Sequence, residues 1–245
     1  MNQISVVVCT RNEEQMIEKC LQSLVSQMVR PEIIVVDGNS IDRTRQIAQQ
    51  YADKILLDHG GGISEARNIG WRAATFPIVA FCDADCLPHR EWTRNLLNLM
   101  EPDVIGVSGP LSAYDGSLTT RFNIRIWADW FPRFLAWFGY HSIWGANMGF
   151  PKRILEKYSF RLRFLEDYDL GMRLRRSGEG RLRFHESISM PMSSRRFKEG
   201  FYQTVLQFYV KTVILMKVFH RYNYSGYYLP PAQKTEGPGL SAHRE

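Results

Sequence analysis

The sequence predicts an α/β protein with a central, mostly parallel sheet flanked by helices, and three observations lead there. Short apolar runs alternate with segments of helical periodicity through the first hundred residues. The runs are apolar almost without interruption, as strands buried on both faces require. The chain has 245 residues, 44% of them hydrophobic and 23% charged, which suits one sizeable globular domain with a modest appendage. Successive strands separated by helices pair in parallel through right-handed crossovers.

Taken in order, Ile4–Cys9 is the first apolar, β-branched run, and Glu13–Met28 shows helical spacing at Met16, Ile17, Cys20, Leu21, Leu24 and Met28. A second run, Ile33–Asp37, passes through the turn Gly38-Asn39-Ser40 into a helix carrying Ile47, Ala48, Tyr51 and Ala52. Ile55–Leu57 predicts a third strand, Ser64–Ala74 a helix, Ile78–Cys82 a fourth strand, Glu91–Met100 a helix and Val104–Val107 a further strand. Beyond Gly109 the rhythm changes. Four of the six tryptophans lie between positions 127 and 144, with Arg121, Arg125 and Arg133 interleaved among them and their neighbouring phenylalanines. Glu166–Ser177 predicts a helix closed by Gly178. Phe197 to about His220 predicts a last helix, before a turn-rich tail from Tyr222 that is expected to stay flexible. The expected division is one α/β body over 1–190, with its two halves at 1–109 and 110–190, then an amphipathic helix and tail over 191–245.

Composition narrows the functional classes. Cys9, Cys20, Cys82 and Cys86 have no CxxC spacing, which argues against a zinc site and for reduced thiols in the cytoplasm. No run of about 18 uncharged apolar residues and no leader pattern is visible, so the expected location is the cytoplasm or the cytoplasmic face of a membrane. The net charge of +6 is uneven: residues 1–100 carry 10 Lys/Arg and 12 Asp/Glu, whereas 152–198 carry 13 and 6. A basic second half suits nucleic acid, an anionic membrane or a phosphorylated substrate, and no nucleic-acid-binding motif is present. The stretch 122–140 has the Trp, Phe and Arg composition of a helix lying in the headgroup region. The same stripe would equally pack on the sheet or against a second subunit.

Ligands of open parallel sheets bind beyond the carboxyl ends of the strands. Polar residues gather there: Thr10, Arg11, Asn12 and Glu13 after the first strand, Asp37 after the second, Asp58 to Gly62 after the third and Asp83-Ala84-Asp85 after the fourth. Two carboxylates one residue apart form a compact site for a hard divalent cation that would neutralise a departing diphosphate, or simply a turn that caps the next helix. Gly60–Gly62 could cradle phosphate at a helix N-terminus. Neither a dinucleotide fingerprint nor a GxxxxGK[ST] loop follows the first strand, which argues against a nicotinamide dehydrogenase and an ATPase. Arg67 could contact phosphate or base, or be a surface arginine. Glu166, Asp167 and Asp169 complement a helix dipole, and one of them could accept a proton from a substrate hydroxyl. His185 is a further conceivable metal ligand.

Five motifs occur in a familiar order: Val6-Val7-Val8-Cys9-Thr10-Arg11-Asn12-Glu13, the Val35–Thr44 segment around Asp37, Glu65-Ala66-Arg67-Asn68-Ile69-Gly70, Asp83-Ala84-Asp85, and Glu166-Asp167-Tyr168-Asp169-Leu170. Together, over about residues 4–177, they resemble family 2 glycosyltransferases of the GT-A fold. The resemblance implies inverting transfer of a sugar from a nucleoside diphosphate sugar to an acceptor hydroxyl, the acceptor being a glycan or a polyprenyl-phosphate-linked molecule. It implies that Thr10, Arg11 and Glu13 line the nucleoside pocket, Asp37 contacts the base and Arg67 approaches the nucleotide. It further implies that Asp83 lies by the ribose or metal, Asp85 is the main ligand of a Mg²⁺ or Mn²⁺ ion, and Asp167 is the base, supported by Glu166. The family's common Asp-Asp-Gly-Ser turn is Asp37-Gly38-Asn39-Ser40 in this chain. The QxxRW motif of processive synthases is absent, and Ser193-Ser194-Arg195-Arg196-Phe197 stands in that region, which suggests single addition. Arg195 and Arg196 could grip the diphosphate or begin a solvated basic helix. A nucleotidyltransferase that makes nucleotide sugars and a non-catalytic module binding membranes or nucleic acid are the alternative readings.

Overall fold

A computed structural model describes residues 4–137, 143–163 and 165–195. The expected helix from Phe197, the tail from Tyr222 and Arg196 lie outside the described residues. Up to residue 109 the elements run β1 (Ile4–Thr10), α1 (Ile17–Val25), β2 (Glu32–Asp37), α2 (Thr44–Ala48), β3 (Lys54–Leu57), α3 (Ile63–Ala73), β4 (Ile78–Asp83), α4 (Trp92–Leu99) and β5 (Val104–Ser108). Each expected strand is present, longer by one residue at one end. The remainder comprises β6 (Leu111–Ala113), α5 (Leu118–Arg125), a π-helical turn (Ile126–Trp130), α6 (Phe131–Trp137), β7 (Asn147–Pro151), α7 (Lys152–Lys157), α8 (Glu166–Ser177), β8 (Arg181–Phe184), a 3₁₀ turn (Glu186–Ile188) and β9 (Met190–Met192).

Seven strands form one sheet in the order β3-β2-β1-β4-β7-β5-β8, and β6 pairs with β9 in a second, two-stranded sheet. All neighbours in the large sheet are parallel except β7, which runs antiparallel between β4 and β5. The period-2 alternation of strands divides the core into two layers. Ile4, Val6, Val8, Ile33 and Val35 face Ile17, Cys20, Leu21 and Leu24 of α1, with Trp92 and Leu96 of α4 in the same layer. Val7, Ile34, Val36 and Phe81 face Ala66 and Trp71 of α3, together with Leu170 and Leu174 of α8. Both faces of the central strands are thereby closed, and their continuous apolar character is explained. Gly70 lets α3 come down onto the sheet: a Cβ there would lie 3.0 Å from a Val7 methyl and 3.2 Å from one of Val36.

Two expectations shift. The first helix begins at Ile17, not Glu13. Residues 12–14 are instead tied to the β2–α2 loop, Asn12 N–H donating to Ser40 Oγ (2.9 Å), Glu13 N–H to Thr44 Oγ1 (2.8 Å) and Glu14 N–H to Asp42 Oδ2 (3.2 Å). Asn12 and Asn39 take positive φ (53° and 62°), a conformation asparagine tolerates better than most residues. The expected boundary after residue 190 falls inside β9, whose pairing with β6 carries the chain onward to Arg195 at the carboxyl edge of the sheet.

Candidate active site

The carboxyl ends of β1, β2 and β4 lie side by side, with Thr10 in register with Asp37 and Cys9 with Asp83. Thr10 is buried, and its hydroxyl has no hydrogen-bond partner among the described residues. Such an orphan costs about 1–3 kcal/mol and marks a position where a ligand group would be welcome. Asp37 is fully buried, and its carboxylate is already engaged: Ser40 donates its N–H to Oδ2 (2.9 Å) and its hydroxyl to Oδ1, and Arg45 Nε lies 3.4 Å from Oδ2. Arg11 is exposed at the rim, its side chain against Gly38.

The triple glycine does not serve as an open phosphate cradle. Asp58 is buried, and its carboxylate accepts the N–H groups of Gly60 (3.1 Å), Gly61 (3.0 Å) and Gly62 (3.2 Å). The backbone donors that would have met a phosphate are filled from within the chain.

Asp83 closes β4 and remains partly exposed; Asp85, two residues on, is buried. The main chain of Asp85 is fixed by Ser193, whose N–H donates to its carbonyl at 3.0 Å. Ser193 Oγ in turn donates to Asp115 Oδ2 (2.9 Å), and Ser194 N–H to Asp115 Oδ1. The segment Ser193–Arg195 thus lies across the edge of the sheet and ends with Arg195 Nη2 on both carboxylate oxygens of Glu13 (2.7 and 2.6 Å). Arg195 is therefore held by a residue of the expected nucleoside pocket.

Opposite stands the N-terminus of α8, entered through Leu165 at φ 52°. Its three carboxylates diverge. Glu166 is buried and pairs with Arg67 Nη1. Asp169 pairs with Arg173 one turn on (2.8 Å), a local helix contact. Asp167 accepts the Gly145 N–H at 2.8 Å and the Tyr168 N–H at 2.7 Å. Its removal from water raises the Asp167 carboxyl above the ordinary range, against the Arg67 charge and the two N–H donors, which lower it. Arg67 is not a surface side chain: it is buried on α3, with Nη2 3.6 Å from Asp83 Oδ1 and its guanidinium over the Phe160 ring. One buried cation therefore joins the carboxylate at the end of β4 to the carboxylates that open α8.

Asp83 and Asp85 offer hard oxygen donors. His185 Nδ1 lies 2.8 Å from the Ser187 hydroxyl. Among the described residues no group of three or more His, Cys, Asp or Glu side chains is arranged to hold a metal. Cys9 is half-buried, and Cys20, Cys82 and Cys86 are buried, with Cys20 Sγ 3.9 Å from Cys82 Sγ. Gly145 and Asp115 were not singled out by sequence reasoning. Gly145 lies in the aromatic stretch and carries no chemical signal, and Asp115 is a lone carboxylate in a turn.

The mostly parallel central sheet flanked by helices is the architecture of the GT-A glycosyltransferases. The sequence profile of glycosyl transferase family 2 matches residues 5–159, and the chain belongs to that family. The glycosyltransferase AglE of Haloferax volcanii is 36% identical over 98 residues, which is 36% of this chain and 32% of that protein. Across four such relatives the matched stretch is only 23% to 41% of their length. Among solved structures, the mannosyltransferase PcManGT of Pyrobaculum calidifontis, in complex with GDP-Man and Mn²⁺, superposes with a TM-score of 0.62 at 21% identity, over 86% of this chain and 64% of its own. Glucosyl-3-phosphoglycerate synthase of Mycobacterium tuberculosis, with Mn²⁺, UDP and phosphoglyceric acid, superposes with a TM-score of 0.55 at 20% identity, over 78% and 70%. At these identities the structures establish the fold, and the profile match establishes membership of glycosyl transferase family 2.

Proposed function

We propose that the protein is an inverting, metal-dependent, single-addition glycosyltransferase that moves a sugar from a nucleoside diphosphate sugar to an acceptor hydroxyl. The observation that carries this reading is the juxtaposition, through buried Arg67, of Asp83 at the end of β4 with the Glu166–Asp167 pair that opens α8. Donor-side and acceptor-side carboxylates are thereby linked through one guanidinium. Asp167 takes the proton of the attacking hydroxyl, and the new bond forms on the face of the sugar opposite the leaving diphosphate. Its raised affinity for protons makes it a stronger base than an exposed carboxylate. Thr10, with its unsatisfied hydroxyl, and Glu13 line the nucleoside pocket, and Arg11 stands at its rim; Asp37 shapes the base end through Ser40 and Arg45.

Asp83 and Asp85 would hold a Mg²⁺ or Mn²⁺ ion. Two carboxylates suit a cation of this kind, which is commonly bound by one or two carboxylates and completed by substrate phosphates and water. When bound, it supplies charge neutralisation for the departing diphosphate. Complexes of PcManGT with GDP-Man and Mn²⁺ and of the mycobacterial synthase with UDP and Mn²⁺ support the donor class.

The finer reading of the acceptor is a lipid-linked molecule met at an anionic membrane surface. No helix among the described residues is long and apolar enough to cross a membrane. The α5–α6 segment instead exposes Leu118 (82%), Phe122 (55%), Trp130 (49%) and Phe134 (55%) beside exposed Arg121 and Arg125, a combination suited to the headgroup region.

Incubation of the full chain with UDP-, GDP- and dTDP-sugars and Mg²⁺ or Mn²⁺ tests the reading by release of nucleoside diphosphate together with a glycosylated acceptor. Pyrophosphate release from a nucleoside triphosphate and a sugar phosphate, without sugar transfer, would overturn it.

A further inference from the structure

Gly145 stands at the meeting point of the two halves of the candidate active site. Its N–H donates to Asp167 Oδ2 at 2.8 Å. Its α-carbon faces the Arg67 guanidinium so closely that a Cβ would lie 2.9 Å from both Cζ and Nη1 and closer still to Nη2. That Nη2 is the nitrogen directed at Asp83, and Nη1 is the one paired with Glu166. Gly145 has no positive φ, so the need for glycine at this position is one of space, not of backbone conformation. The flexible end of a side chain usually yields to a new methyl group. Arg67 is buried, stacked on Phe160 and engaged by two carboxylates, so displacing it moves charged groups away from their partners.

We propose that Gly145 is a positioning residue for transfer: its N–H orients Asp167 while its bare α-carbon seats Arg67, so that one residue sets the acceptor-side base relative to the donor-side carboxylate. This rests on the transferase reading above and assigns to a residue with no functional group the alignment of two elements, α3 and α8. A methyl group at 145 pushes Arg67 and Asp167 out of alignment while the nucleoside pocket around Thr10 and Glu13 remains. The consequence is a split between turnover and donor binding. A misplacement of reacting groups by about 1 Å is sufficient for a loss of about 100-fold in rate.

The test uses the full chain with Gly145→Ala, Arg67→Lys and the double variant. Gly145→Ala should lower kcat about 100-fold, with UDP or GDP affinity in the presence of Mn²⁺ kept within about threefold of the parent. Lysine in place of arginine vacates the space the new methyl needs and keeps the positive charge, so the double variant should recover about tenfold over Gly145→Ala. The same cycle read as Tm without any substrate should be non-additive, which probes the contact whether or not a donor has been found. A kcat near the parent's, or strict additivity in Tm, would overturn the inference. A non-additive Tm cycle in a chain that transfers no sugar would instead overturn the transferase reading and support the Gly145–Arg67 contact.

Discussion

Arg195 donates through Nη2 to both carboxylate oxygens of Glu13, at 2.7 and 2.6 Å, across 182 positions of sequence. Glu13 is buried and Arg195 only half-buried. The pair fastens the segment after β9 onto the loop after β1, where the nucleoside is expected. Arg195→Ala removes this guanidinium from a buried carboxylate. The cost in unfolding free energy should be about 1–3 kcal/mol, nearer the lower figure because Arg195 is partly in water. Urea denaturation measures it. Donor affinity should fall in the same variant, and Arg195→Lys should restore part of both losses.

Asp85→Asn keeps the side-chain volume and the Ser193 bond to the Asp85 main-chain carbonyl. It should lower turnover at least about 100-fold with little change in Tm. It should also remove the thermal shift that Mn²⁺ adds to UDP or GDP. Full activity in this variant, or in excess chelator, would refute the role assigned to Asp85.

Asp167 carries a carboxyl whose folded pKa is raised, chiefly by removal from water. As a base it works only when ionised, so kcat/KM should climb with pH through a limb displaced above the usual carboxylate range. The stability consequence has the opposite sign. A raised folded pKa favours the native state below the unfolded value, near 3.8, and that advantage is lost as pH rises through the folded value. Asp167→Asn should therefore abolish transfer and raise Tm at neutral pH, with the gain shrinking at about pH 3–4. Parallel pH profiles of turnover and Tm separate the two effects.

Glu32 sits at the start of β2, buried beside Ser5, Lys54 and Thr75. Burial works to raise its pKa, but the hydrogen bonds from Lys54, Ser5 and Thr75 together outweigh it and bring the carboxyl down to about 2. The stabilisation is present above the unfolded value of about 4.5 and lost as pH falls through about 2. Glu32→Gln should cost up to about 3 kcal/mol at neutral pH and almost nothing at pH 2. Denaturant titrations at the two pH values check this without reference to activity.

The exposed face of α5 and α6 should meet lipid. Full-length protein should sediment with vesicles containing phosphatidylglycerol and not with phosphatidylcholine alone, and the binding should weaken with salt. Arg121→Glu and Arg125→Glu should each reduce it by about fivefold or more. Phe122→Ser with Trp130→Ser should reduce binding at any salt concentration. Equal sedimentation of all variants would remove the membrane from the proposal.

Much of the fold was legible in the sequence because local signals and global structure agreed. Apolar runs marked β1 to β5, and the acidic start and Gly178 marked the ends of α8 correctly. β7 was not legible: Asn147–Pro151 is five residues long with a glycine and an asparagine among them. It is a strand because β4 and β5 leave a gap for it, with Gly149 against Leu96 and the Asn147 side chain bonded to Trp92 and Ile188. The glycines at 60–62 read as a phosphate cradle because spacing cannot show that Asp58 already occupies it.

By itself the sequence determined the succession of strands and helices over residues 1–109 in outline, the two acidic motifs and the family, since these rest on residue types at short range. Only the tertiary structure decided which charges meet: Arg67 with Asp83 and Glu166, Arg195 with Glu13, Gly145 with both Arg67 and Asp167. Each of these contacts joins elements far apart in the chain. A charge written in a sequence carries no record of its partner; that partner is chosen by the packing of strands and helices that bring the two together and exclude water between them.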